Sequence, residues 1–325
     1  MLYLSHSKYS DINPDMIYRE LGDTGLNVSV LSFGASSLGG VFHDFEESKG
    51  LEAVYTAIEM GINLIDVSPY YGFTKAETVL GKALQNIDRS KYFLSTKVGR
   101  YGTDIEKTWD YSGHRAIESI HESMERLNVD YIDLISVHDV EFADASQVIN
   151  ETLPALWELK EAGIVGHVGI TGLPLPILKQ ITAEAGEGMI DTVLNFCHYS
   201  LNDDALTDDI EFYKSNGVGI INASPLGMGL LSERKTPIWH PASEEIKTAC
   251  RNAANHCKSK GYRIEQLAIK YAVDHPDIAT TLVSTTNRNN IRKNVEWALA
   301  PQNEELLAEV LDILAPVHRE TWENS

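Results

Sequence analysis

Three observations predict an α/β protein built as a single (β/α)8 TIM barrel. The chain of 325 residues holds eight short β-branched runs, an amphipathic stretch lies between successive runs, and no G-x-G-x-x-G follows any of them. The runs are 31–36, 62–68, 92–99, 131–139, 166–172, 191–196, 217–224 and 279–284. A doubly wound open sheet is the competing architecture, and the missing phosphate loop counts against it.

Taken in order, residues 1–16 are mostly polar and are interrupted by Pro14, so a flexible N-terminal arm is expected there. "IYRELGDTGLNVSVLS", residues 17–32, alternates on both sides of a "DTG" turn and reads as a β-hairpin capping the N-terminal end of the barrel. Helical patterns fall at 51–61, 113–128, 149–163 and 243–261, and each closes on Gly or Asn, the usual helix C-terminal residues. A further helix is expected after the eighth strand. Residues 17–325 then form one domain, without an interior linker.

Composition narrows the function. Hydrophobic residues make up 43% of the chain, enough for a large core, and the formal charge is −20 with carboxylates spread along the sequence. Such a diffuse negative field disfavours nucleic acid and anionic membranes as partners. No apolar run approaches the ~20 residues that span a bilayer. The opening also lacks the basic and apolar regions of a secretion signal, so a cytoplasmic protein is expected. Cys197, Cys250 and Cys257 read as reduced thiols in or near the core, the last two sharing one helix face. His138, His198 and His240 lack metal-ligand spacing, so no metal is expected. Ser36, Ser68 and Ser224 sit in no G-x-S-x-G elbow.

In a barrel of this kind the chemistry sits at the C-terminal ends of the strands. Asp66 ends the second run, Tyr71 opens the loop after it, Lys97 ends the third and His138 ends the fourth. The separations, 97 − 66 = 31 and 138 − 97 = 41 residues, each fit one βα unit, so adjacent strands deliver these groups side by side. Together they make a proton-transfer device. Tyrosine titrates near ~10 and is a poor base at neutral pH, but a neighbouring ammonium favours the phenolate. Lys97 is placed to supply that charge, Asp66 to keep the lysine protonated, and His138 to hold the reacting oxygen.

The stretches "DVSPYYG", "STK" and "ISVHD" resemble the active-site tetrad of the aldo-keto reductases, and the resemblance runs over about residues 17–300. Within the family, "SPYYGFTKAETVLGKAL", "TKVGRYG", "VHDVEF", "GITGLPL", "CHYSLND" and "ASPLGMGLLSE" are most similar to the branch that oxidises L-galactose at C1. The resemblance implies a monomeric enzyme with Tyr71 as general acid/base, tuned by Lys97 and Asp66, and His138 orienting a small sugar. It further implies that Thr171 and Asn195 hold the nicotinamide carboxamide and that Ser224 and Leu226 approach the pyrophosphate. The aromatic residue that often precedes "SPL" in the family is Ala223 here. Members using NADP carry a Lys, a Ser/Thr and an Arg where this chain has Ser284, Thr285 and Asn290, which implies NAD over NADP, although Arg288 and Arg292 flank the position.

Further substrate-pocket candidates are Arg100, Tyr101 and Trp109 in the loop after strand three, His198 and Tyr199 after strand six, and Trp239 and His240 in the strand-seven loop. Rival readings are a related dehydrogenase of D-arabinose or L-fucose, an NADPH-dependent aldehyde reductase, and a redox-sensing subunit of an ion channel.

Overall fold

The computed structural model describes residues 13–41, 44–102 and 108–323. A hairpin of β1 (Tyr18–Glu20) and β2 (Asn27–Ser29) comes first, joined by a short 3-10 turn over Gly22–Thr24. The eight predicted runs follow as β3 (Leu31–Gly34), β4 (Leu64–Asp66), β5 (Phe93–Val98), β6 (Ile132–Val137), β7 (Val165–Gly172), β8 (Thr192–Phe196), β9 (Gly219–Ala223) and β10 (Thr280–Val283). They pair in parallel and close in the order β10-β3-β4-β5-β6-β7-β8-β9, so the barrel has no open edge and the open-sheet alternative is excluded.

The helices around the barrel are α1 (Glu47–Glu59), α2 (Lys75–Leu84), α3 (Gly113–Leu127), the single turn α4 (Ala145–Gln147), α5 (Leu153–Glu161), α6 (Leu175–Ala185), α7 (Ile210–Ser215), α8 (Glu244–Ser259), α9 (Ile264–Asp274), α10 (Arg288–Leu299) and α11 (Glu304–Leu314). Local chemistry sets several ends. Ser112, Ser243 and Asn303 each accept a backbone N–H at the start of α3, α8 and α11. Asn128 closes α3 in the left-handed region at φ 59°. Cys250 and Cys257 lie on the buried face of α8, and all three cysteines are free thiols.

Strand alternation decides what enters the barrel. Leu64, Leu134, Leu194 and Ile221 point inward and form the lower layer with Leu21 and Val28 of the hairpin, which is therefore the plug of the N-terminal end. Full burial of such side chains contributes about 1.5–3 kcal/mol each. Two residues further along the same strands, the inward positions become Asp66 on β4, Ser136 on β6, Phe196 on β8 and Ala223 on β9. On β5 the outward Thr96 hydroxyl donates to Glu77 of α2 at 2.7 Å, leaving Ser95 and Lys97 on the inner face. Arg126 holds the other oxygen of Glu77 at 2.7 Å, which pins α2 to α3 behind the site.

Of the expected arm, residues 1–12 lie outside the described residues. Residues 13–16 are held to the body: Asn13 donates to the Met60 carbonyl at 2.9 Å, and Met16 is buried in the core. Among the described residues no helix is long and apolar enough to cross a membrane.

One close backbone approach places the loop after β4. Gly72 adopts φ +62°, and a Cβ there would lie 2.1 Å from the Gly39 carbonyl oxygen; one on Gly39 would lie 2.6 Å from the Tyr71 carbonyl carbon. Gly72→Ala must separate the two loops beside Tyr71. It is expected to lose at least the ~1–2 kcal/mol that a left-handed non-glycine residue costs, and to lower turnover together with the urea midpoint. Unfolding curves read alongside activity check this.

Candidate active site

At the C-terminal mouth, β4 and β5 place Asp66 and Lys97 on neighbouring strands, with Asp66 in register with Ser95 and Lys97 with Ser136. Both ionic side chains are buried and paired. Ser95 donates to the free oxygen of Asp66 at 2.8 Å, and the ammonium also donates to the Val67 carbonyl at 2.9 Å. Tyr71 lies over this pair, with Lys97 Nζ 5.0 Å from its ring centroid, and its ring meets His138 edge-on at 5.7 Å. The four residues proposed from strand ends therefore share one space.

Charge tuning differs from the expectation in one respect. Burial outweighs the attraction of Lys97 and, helped by Asp66 and Asp139, raises Tyr71 above the ordinary tyrosine value, so it rests as the phenol. For Lys97 burial acts downward, yet Asp66 and Tyr71 more than offset it and the ammonium stays charged. Burial, followed by the charges of Lys97 and Arg100, holds His138 well below the usual imidazole range, and its ring is neutral.

Ser68 is the hydrogen-bond partner of the ring's Nδ1. Ser68 Oγ accepts from the Tyr70 N–H at 3.1 Å and lies 3.1 Å from His138 Nδ1. With the serine proton directed to Nδ1, Nε2–H is free to donate into the cavity. Sequence reasoning treated Ser68 only as a failed nucleophile and did not single out Asp139. Strand alternation would turn Asp139 outward, but φ 48° and ψ 60° bring it back beside His138, where Oδ1 lies 3.6 Å from Nε2.

These groups occupy one end of a cavity of about 1370 Å³, larger than the ~300–1,000 Å³ of most small-molecule sites. It runs from Tyr70, Tyr71 and His138 past Ser224 and Ser284 to the N-terminal half of α10 and Trp297.

Residues 30–314 match the aldo/keto reductase family. The chain is an aldo-keto reductase. It is 44% identical to the L-galactose dehydrogenase of Arabidopsis thaliana over 310 residues, covering 94% of this chain and 96% of that protein. It is 35% identical to the D-arabinose 1-dehydrogenase of Saccharomyces cerevisiae over 259 residues, 76% of each chain. Among solved structures, the holo form of an aldo-keto reductase from Bacillus halodurans superposes with a TM-score of 0.77 at 26% identity, covering 95% of this chain and 99% of that one.

As a member of this family, the reductase acts on a CH–OH or carbonyl group of a small molecule with a nicotinamide cofactor. The cavity, about 1370 Å³, has the volume for a nicotinamide cofactor and a small-molecule substrate. Thr171, Ser224, Leu226, Ser284, Thr285 and Asn290 all line it. Ser224 stands in the left-handed region at φ 57°, and Ser284 Oγ accepts from the Ser37 N–H at 3.0 Å, tying β10 to the loop after β3. Thr285 Oγ1 accepts from Asn290 Nδ2 at 3.4 Å.

Asn195 does not line the cavity. Its neighbours Leu194 and Phe196 take the inward positions, and its amide donates to the Gly172 and Leu173 carbonyls, both at 2.9 Å. Among the described residues its Oδ1 is buried without a partner, an acceptor one residue behind the wall. At the level of Ala223 the aromatic surface is Phe196, its register neighbour on β8, which also lines the cavity.

The substrate-pocket candidates divide. Arg100 and Trp239 line the cavity, Trp239 at 57% exposure. Tyr101 lies under Arg115, 4.4 Å from its guanidinium, and Trp109 stacks on Phe142 at 4.3 Å, so neither forms the wall. His198 turns away to pair with Asp203 at 2.7 Å, Tyr199 stacks on Tyr271 at 5.2 Å, and His240 is bound to the Gly227 carbonyl at 2.9 Å. These five side chains are packing and loop-fixing groups. Residues 103–107 of the Arg100 loop lie outside the described residues.

Proposed function

We propose that this reductase oxidises the ring form of an aldose at C1 to the lactone with NAD, L-galactose being the foremost substrate. The observation that carries the reading is the convergence of Asp66, Lys97, Tyr71 and His138 at one mouth, in a chain 44% identical to an L-galactose dehydrogenase. L-Galactose and D-arabinose, the sugars in two relatives' names, share the configuration of the pyranose hydroxyls at C2, C3 and C4 and differ at C5.

In this mechanism His138 Nε2–H holds the C1 oxygen while Tyr71 takes the hydroxyl proton. Lys97 stabilises the phenolate that accepts it, and Asp66 keeps the ammonium charged and fixed. A bound nicotinamide supplies the acceptor for the hydride leaving C1, so one aldose and NAD give one lactone, NADH and a proton.

The proposed preference for NAD is supported by carboxylates beside the cations near Ser284, Thr285 and Asn290. Arg263 is paired with Glu265 at 2.8 Å and with Glu233 at 3.4 Å, Arg288 faces Glu52 at 3.6 Å, and Arg292 faces Glu59 at 3.7 Å. A 2′-phosphate would have to compete with these acids for its cations. Absorbance at the reduced-nicotinamide band, with L-galactose and a panel of aldoses and each of NAD and NADP, tests the proposal. Rapid NADH formation on L-galactose is expected. Turnover confined to NADP would overturn the cofactor assignment, and silence on every sugar would overturn the activity.

A further inference from the structure

Asp139 is a buried carboxylate on the wall of the reaction chamber that the proton-transfer steps leave unused. Its backbone is held in the left-handed region, at φ 48° and ψ 60°. Neighbours on both sides maintain it: the Asp139 N–H donates to Thr171 Oγ1 at 3.0 Å, and the Tyr111 hydroxyl donates to the Asp139 carbonyl at 2.8 Å. The result is a carboxylate aimed into the mouth.

Its two oxygens differ. Oδ2 accepts from Arg100 Nη1 at 2.6 Å. That guanidinium lies 3.8 Å from the Tyr70 ring and 4.4 Å from the Trp109 ring, and its Nη2 donates to the Tyr70 hydroxyl at 3.0 Å. The clamp fixes Oδ2. Oδ1 has no hydrogen bond among the described residues and stands 3.6 Å from His138 Nε2, the atom that receives the reacting oxygen. Burial and Glu141 push the carboxyl up to about 6 while Arg100 holds it down, and as the carboxylate paired with Arg100 the group can only accept.

We infer that Asp139, held by Arg100, is a specificity-determining group that accepts a hydrogen bond from the C2 hydroxyl of the aldose. The inference rests on the proposed oxidation at C1. With the C1 oxygen on His138, a receiving atom 3.6 Å away suits an oxygen on the adjacent ring position. C1 has two such neighbours, the ring oxygen and the C2 hydroxyl. The ring oxygen carries no hydrogen and cannot pair with a carboxylate, so the C2 hydroxyl is selected. A substrate without it would leave a buried anion unmatched.

The test compares L-galactose with 2-deoxy-L-galactose in the wild type and in Asp139→Gly, a replacement that tolerates the positive φ. In the wild type, deoxygenation is expected to lower kcat/KM by roughly 10- to 100-fold, the usual worth of a hydrogen bond to a charged group. In Asp139→Gly the two sugars should differ by less than about 3-fold, because the group that distinguishes them is gone. An unchanged penalty in the variant would overturn the inference, as would a wild type that does not discriminate; a purely structural role for Asp139 lowers both sugars equally. Asp139→Asn keeps the shape and one acceptor, so it should retain part of the discrimination, and it carries the comparison if the glycine variant does not fold. A wild type that oxidises no aldose would strike the proposed function itself, whereas turnover with an Asp139-independent penalty strikes this inference alone.

Discussion

Tyr71→Phe is expected to lower kcat by about 10²- to 10⁴-fold, the usual contribution of a positioned general acid/base, with little effect on folding. The substitution deletes one oxygen from a half-buried ring and keeps the ring's packing. Its contacts with Lys97 Nζ, 5.0 Å from the centroid, and with His138 at 5.7 Å do not need the hydroxyl. The pH profile gives a second, independent readout. Because burial raises Tyr71 above its ordinary pKa, the resting group is the phenol across the neutral range. Oxidation needs the phenolate, whose population grows tenfold per pH unit below the pKa, so its rate should climb with pH into the alkaline range. Carbonyl reduction needs the phenol and should fall over the same range. The phenyl ring of the variant has nothing to titrate, and its residual rate should lose that slope. Wild-type turnover in Tyr71→Phe would end the tyrosine mechanism.

What the sequence made legible follows the periodicity of strands. Asp66, Lys97 and His138 could be placed because each interrupts or ends a β-branched run, and the two-residue alternation that buries Leu64 and Leu134 also turns Asp66 and His138 inward. Where the backbone leaves that rhythm the reading fails. Positive φ at Asp139 returns a residue to the mouth that alternation sends outward, and positive φ at Cys197 comes just before His198 and Tyr199, which look like pocket residues but pair with Asp203 and Tyr271. The clamp on Arg100 joins Tyr70, Trp109 and Asp139, residues brought together only by loop conformations. The direction of the Tyr71 shift was hidden for another reason. The sign depends on the balance between the Lys97 charge and desolvation, and sequence reveals the charge alone.

The Lys97–Asp66 pair should be dispensable for stability as a pair but not as single members. Side-chain exposures of 2% for Lys97 and 6% for Asp66 mean that neither charge can recover its hydration when the other is lost. Lys97→Met leaves the Asp66 carboxyl buried without its cation and with the Ser95 hydroxyl as its remaining side-chain donor, and removing one member of a buried pair costs roughly 3–5 kcal/mol. The expected outcome is a large fall in the urea midpoint together with loss of turnover. Adding Asp66→Asn to Lys97→Met removes the stranded charge while keeping a group that Ser95 can bond, and most of the lost stability should return. Turnover should not return, because no ammonium then faces Tyr71. If the double variant stayed as unstable as Lys97→Met, the pair would be a stabilising element in its own right. If it regained activity, Lys97 would have no part in preparing the tyrosine. Recovery of the fold without recovery of the reaction would mean that the buried ion pair is retained for what its positive end does to the phenol.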